Sequence, residues 1–141
     1  MSWWAAGAGR CERVAWRELA RADTSWGTAH AATGHAFGDV VWAWVPFGSR
    51  APGQGKDRPC VVLGTLADRG DLLLVGMTSR DHDADDDHLF LGYGVWDRSG
   101  RGSWADVRHL LRIHHSEVRD AEAALDRMQA RALRRRLRLR D

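Results

Sequence analysis

Arg58 is the residue whose type and setting most invite chemistry. It follows a polar stretch, Gly55-Lys56-Asp57, and stands directly before Pro59-Cys60-Val61-Val62-Leu63, an apolar run that reads as a strand. A proline fixes its own φ and pushes the residue before it into extended conformation, so Arg58 is held at the mouth of that strand. Its guanidinium is a planar, permanently charged fork of donors, suited to a phosphate or a carboxylate. The same local sequence also describes a solvated loop arginine. A second group of candidates lies at 80–88, which holds five aspartates (Asp81, Asp83, Asp85, Asp86, Asp87) and two histidines, His82 and His88. These are metal-ligand types, but the run lacks the glycine and terminal glutamate of an EF-hand loop, and it reads as a solvated acidic loop with no metal. His88 is an acid–base candidate by its ordinary pKa near neutrality.

The elements that must position these residues follow from pattern. Residues 40–45 are apolar on both faces and form a covered strand that ends at Pro46. A loop rich in glycine and polar residues spans 48–57. Strands follow at 60–66 and 72–78, joined by a hairpin turn at Asp68-Arg69-Gly70-Asp71. Further strands are predicted at 89–93 and 107–113. Val118, Ala121, Leu125, Met128 and Ala132 recur at three- and four-residue steps behind Ser116, a plausible N-cap, and predict an amphipathic helix over 117–138. The stretch from Arg131 to Arg140 at its end carries six arginines, and a helix end of this kind tolerates positive charge. Strands first and one helix last predict a mainly β, α+β chain: a small β-barrel with a C-terminal helix across it.

Residues 1–35 read as an extension, with a helix near 11–22 that puts Ala15, Leu19 and Ala22 on one side and Arg13, Arg17 and Arg21 on another. Trp3, Trp4, Trp16 and Trp26 either pack this helix on the domain or belong to a flexible leader; the spacing leaves both open. At 141 residues the remainder, 36–141, is one domain. The formal charge is +2, and 20 of 21 basic residues are arginine, a bias that reads as coding composition. Cys11 and Cys60 give no disulfide framework and no zinc spacing. No apolar run approaches the roughly 18 residues of a membrane span, and no signal peptide is evident, so a soluble, cytoplasmic protein is expected.

Gly38-Asp39-Val40-Val41-Trp42 resembles the opening strand of the MazF/PemK toxins. Gln54-Gly55-Lys56-Asp57-Arg58-Pro59 and the strand after it resemble that family's signature loop and second strand. Met77-Thr78-Ser79 falls where the family has its own threonine, and Gly92-Tyr93-Gly94-Val95-Trp96-Asp97 is similar to a subgroup. The resemblance covers 38–137. It departs at Gly53, where members commonly carry glutamate, and in the longer, more acidic loop after Thr78. It implies an SH3-like barrel of the CcdB/MazF kind, usually a homodimer, acting as a metal-independent endoribonuclease on single-stranded RNA and restrained by a cognate antitoxin. On that reading Arg58 and Thr78 are the catalytic pair. Gln54 contacts a base edge or phosphate, and Lys56 and Arg80 add phosphate attraction. No cofactor is implied. Two rivals stay open: a non-catalytic RNA-binding or regulatory domain on the same barrel, and a toxin acting by protein contact.

Overall fold

A computed structural model describes residues 11–16, 24–26, 34–48, 51–66, 70–80 and 85–138. Nine strands are formed among them: β1 (Glu12–Val14), β2 (Thr24–Trp26), β3 (Asp39–Pro46), β4 (Gly55–Leu66), β5 (Asp71–Thr78), β6 (His88–Gly92), β7 (Ser103–Asp106), β8 (Leu110–His114) and β9 (Arg119–Ala124). An α-helix, α1 (Arg127–Leu137), closes the described chain. Every strand pairing is antiparallel. The main path runs β1-β8-β5-β4-β3-β9, with β2 on β4, and with β7 joining β5 to β6. Register shifts at Val40/Val41, Val62/Gly64 and Phe90/Gly92 bend the strands, and the sheet curls into the SH3-like barrel expected of the sequence.

The long strands β4 and β5 are the frame. Residues Leu72–Met77 are buried without interruption, which is why this run carries no polar alternation: both faces are covered. Val61, Leu63, Leu73, Val75 and Met77 face one cluster, closed over by Leu91, Trp96, Leu125 and Leu133. Cys60, Val62, Leu72 and Leu74 face a second, with Val41, Ala43, Leu111 and Ile113. Gly55 opens β4 because nothing larger fits: a Cβ there would meet the Val45 carbonyl oxygen at 2.5 Å and the Trp44 ring at 2.6 Å.

Three expected elements are corrected. The expected helix near 11–22 is not formed at its start, since Glu12–Val14 is a strand paired with β8; Trp16 is helical, and residues 17–22 lie outside the described residues. The expected helix over 117–138 begins only at Arg127. His115–Glu117 is a 3-10 turn, capped by His114 and not by Ser116. Residues 119–124 then pair with β3, whose outer edge would otherwise stand unpaired. Ala121 and Glu122 are the extra residues where that register shifts, and Glu122 takes a left-handed φ of 54°. Alanine-rich helix propensity is weak beside a free strand edge. The true start is a capping box: Asp126 accepts from the Gln129 backbone N–H at 2.8 Å, and the Gln129 side chain accepts from the Asp126 N–H at 2.9 Å. Finally, the strand expected over 107–113 is interrupted. Val107, Arg108 and His109 turn the chain from β7 into β8, and the Asp106 carboxylate accepts from the Arg108 backbone N–H at 3.0 Å.

Candidate functional site

Side chains alternate along a strand, so Arg58 shares its face of β4 with Cys60 and Val62, while Thr78 shares its face of β5 with Gly76 and Leu74. The pairings Cys60 with Gly76 and Val62 with Leu74 put both sets on one side of the sheet. At the open end of this ladder the apolar residues stop, and Arg58 and Thr78 take their place, half-exposed. The Arg58 side chain crosses the glycine: its Cδ lies 4.0 Å from where a Cβ on Gly76 would stand. The Arg58 guanidinium has no hydrogen-bond or carboxylate partner among the described residues. Thr78 Oγ1 accepts from the Arg80 backbone N–H at 3.1 Å, which leaves the hydroxyl proton to donate elsewhere.

Arg58, Met77 and Thr78 form a wall between two clefts. The first has a volume of about 240 Å³ and is lined further by Arg13, Arg80, His88, Asp106, Arg108 and His109. It thus holds four arginines against one carboxylate. The second, of about 760 Å³, is lined by Trp42, Lys56, Asp57, Arg98, Arg101 and Arg119, and by Asp97, Asp120 and Glu122. Its cations and carboxylates nearly balance.

The sequence-predicted residues divide across these clefts. Arg58 and Thr78 line both, Arg80 lines the first and Lys56 the second. Gln54 lines neither. It is exposed, and its backbone closes the loop, donating to Ala51 O at 3.1 Å and accepting from Phe47 N at 2.9 Å. Gly53 beside it has a φ of 76°, so a glutamate at that position would be strained in this loop. Sequence reasoning missed Arg13, Asp106, Arg108 and His109. The aspartate two residues ahead of Arg108 was a usable signal, being the local pattern of an Asx turn.

Asp106 organises this group. Its carboxylate accepts from Arg108 Nε at 3.4 Å and lies 3.4 Å from His109 Nδ1. Burial alone would push its carboxyl up. Hydrogen bonds from the Arg108 side chain and backbone, with the charges of Arg108 and His109, outweigh that and hold it below the ordinary carboxylate range. The same hydrogen bond raises Arg108 above its usual value. Asp87 stands 3.7 Å from Arg108 Nη1, and Asp85 receives His88 Nδ1 at 3.0 Å, so the described end of the acidic loop is tied to the cleft's cations. Residues 81–84 lie outside the described residues. Among the described residues no cluster of three or more His, Cys, Asp or Glu is arranged to hold a metal ion.

Neither cysteine suits a nucleophile. Burial pushes the Cys60 thiol far up, and it pushes Cys11 up to about 12. What remains is a cationic recess with a threonine hydroxyl and two imidazoles, competent to bind a phosphate, to stabilise extra charge on it and to move protons.

Comparison with curated proteins and with solved structures gives no match. A family model does match, over residues 36–140, and takes in β3 to β9, α1 and every residue of both clefts except Arg13. The chain belongs to the PemK-like, MazF-like toxins of type II toxin-antitoxin systems.

Proposed function

We propose that this toxin is an endoribonuclease that cleaves single-stranded messenger RNA in the cytoplasm without a metal, with Arg58 and Thr78 at the reacting phosphate. The observation that carries the reading is the Arg58 guanidinium, unpartnered among the described residues and beside Thr78 in a recess lined by four arginines and one carboxylate. In such a reaction the ribose 2′-oxygen bonds to phosphorus and loses its proton, while the P–O5′ bond breaks and O5′ gains one. Charge builds on the non-bridging oxygens between these events. Arg58 and the Thr78 hydroxyl are donors aimed at that charge, usually the largest contribution to such catalysis. His88 and His109 line the same cleft and bring imidazoles, the side chains most often used for such proton transfers.

Membership of a type II family implies an antitoxin partner. A homodimer is the further expectation. Of the apolar stripe from Val118 to Ala132, Leu125 is buried by the chain's own core, whereas Met128 stays 82% exposed; Tyr93 is also exposed, at 66%. Light scattering at tens of micromolar tests it, and a monomeric mass counts against it.

The activity is tested by incubating the purified protein with a long unstructured RNA in EDTA, beside the same RNA carrying 2′-O-methyl riboses. Cleavage of the first and not the second is expected. Tight binding without cleavage of either supports the non-catalytic RNA-binding domain instead.

A further inference from the structure

Arg13 comes from β1, ahead of the residues the family model covers, yet it lines the same cleft as Arg58 and Thr78. Strand pairing sets its position: Arg13 lies opposite Leu111 of β8, and Leu111 also lines that cleft. The guanidinium is gripped as well. Nη2 donates to the carbonyls of Pro46 at 3.2 Å and Phe47 at 3.3 Å, and Nη1 lies 3.0 Å from His109 Nδ1. All these partners are neutral acceptors or an imidazole. Arg13 has no carboxylate partner among the described residues, in contrast to Arg108 and Arg112, which pair with Asp106 and Glu12. A guanidinium carries five N–H donors, and two carbonyls and one imidazole do not use them all. The chain has therefore oriented a fork at the cleft and left its charge uncompensated, which is how an anion site is built.

We propose that Arg13 is a substrate-binding residue, holding an RNA phosphate next to the one at Arg58, so that the segment ahead of the family region enlarges the RNA footprint of this toxin. The proposal rests on the RNA-cleavage reading above. It assigns β1 a part in the site and not merely in the sheet.

The test uses the full chain and a 2′-O-methyl single-stranded oligonucleotide, which lacks the nucleophile and survives the measurement. Binding is titrated across salt concentrations for wild type, Arg13→Gln, Arg13→Lys and Arg58→Gln, with a thermal melt of each. A phosphate contact on a single strand contributes about 0.7 to the slope of log K against log salt. Arg13→Gln is expected to lose about that much slope, and Arg13→Lys, which keeps the charge but not the fork, to recover it. A slope unchanged in Arg13→Gln while Arg58→Gln lowers it overturns the proposal and leaves the RNA reading standing. An equal loss of slope in Gln and Lys variants, with lowered melting temperatures, marks Arg13 as a structural clasp and also overturns it. Absence of binding by the wild type overturns both.

Discussion

The two clefts that share the Arg58–Thr78 wall differ in the opposite sense to their sizes. The larger, about 760 Å³, is nearly neutral: Lys56, Arg98, Arg101 and Arg119 alternate with Asp57, Asp97, Asp120 and Glu122, and Arg119 is spent on Asp57 at 2.9 Å. The smaller, about 240 Å³, concentrates Arg13, Arg58, Arg80 and Arg108 around one aspartate. Net attraction for a phosphate thus resides in the smaller space. The larger cleft offers instead Trp42 on its wall and room for unstacked bases, which single-stranded RNA recognition uses. On the proposed ribonuclease reading, the contrast separates where the phosphate would react from where the strand would lie, with Arg58 and Thr78 common to both.

The largest way to break this comparison is to remove the shared cation. Arg58→Ala is expected to lower cleavage by roughly 100-fold or more, the scale of losing a donor to transition-state charge. The barrel should stay folded, because Arg58 is half-exposed and makes no ion pair among the described residues. Full-rate cleavage by this variant in EDTA removes Arg58 from the mechanism. Thr78→Val comes next. It keeps the β-branched shape and deletes the hydroxyl, and a loss of roughly ten-fold or more is expected if that hydroxyl contacts the reacting phosphate. It also removes the acceptor of the Arg80 N–H, so the melting temperature is read beside the rate.

Much of this arrangement was legible in the chain because it rests on local rules. Pro59 held Arg58 extended, although β4 already begins at Gly55, so Arg58 lies within the strand opposite Ala43 and not at its mouth; the unbroken apolar run Leu72–Met77 marked a strand covered on both faces, and the element order pointed to a barrel. The failures came where partners distant in sequence decide. Residues 119–124 have helical spacing, but the edge of β3 recruits them as a strand. Asp126 and Gln129 show where the helix starts, and they were overlooked because the apolar repeat runs straight past them. Arg13 could not be placed in a cleft from its neighbours, since β8, nearly a hundred residues on, holds it there.

A third, smaller test addresses what keeps the small cleft assembled. Asp106→Asn retains the Asx turn's acceptor but deletes the charge facing Arg108 and His109. Arg108 is 46% exposed, so solvent discounts the pair, and a loss of roughly 1 kcal/mol or less is expected at pH 7. Its pH dependence gives the sign. The folded carboxyl lies below its ordinary 3.8, so its contribution is complete above that value and is lost as pH falls through the lower folded value. Urea unfolding should therefore separate wild type from variant at neutral pH and bring them together at strongly acidic pH. A difference that persists in acid means the residue acts through packing and not through its charge.

The smallest expected effect comes from Asp86, two residues ahead of His88, which lines the same cleft. The neighbouring carboxylates are committed, Asp85 to His88 and Asp87 to Arg108, so neutralising all three would mix lost structure with lost repulsion. Asp86 is exposed, and it is held through its backbone carbonyl by Arg136, which leaves its side chain without a cation among the described residues. Asp86→Asn then isolates the repulsion. Screening over about 8 Å at physiological salt keeps the effect small, on the order of a two-fold gain in RNA affinity that shrinks as salt rises. Binding titrations of the 2′-O-methyl oligonucleotide at low and high salt measure it. If the small cleft is where the phosphate sits, the gain appears at low salt and vanishes at high salt. If the strand lies wholly in the larger cleft, on the far side of the Arg58–Thr78 wall, Asp86→Asn changes nothing at either salt, and the assignment of phosphate to one cleft and bases to the other fails.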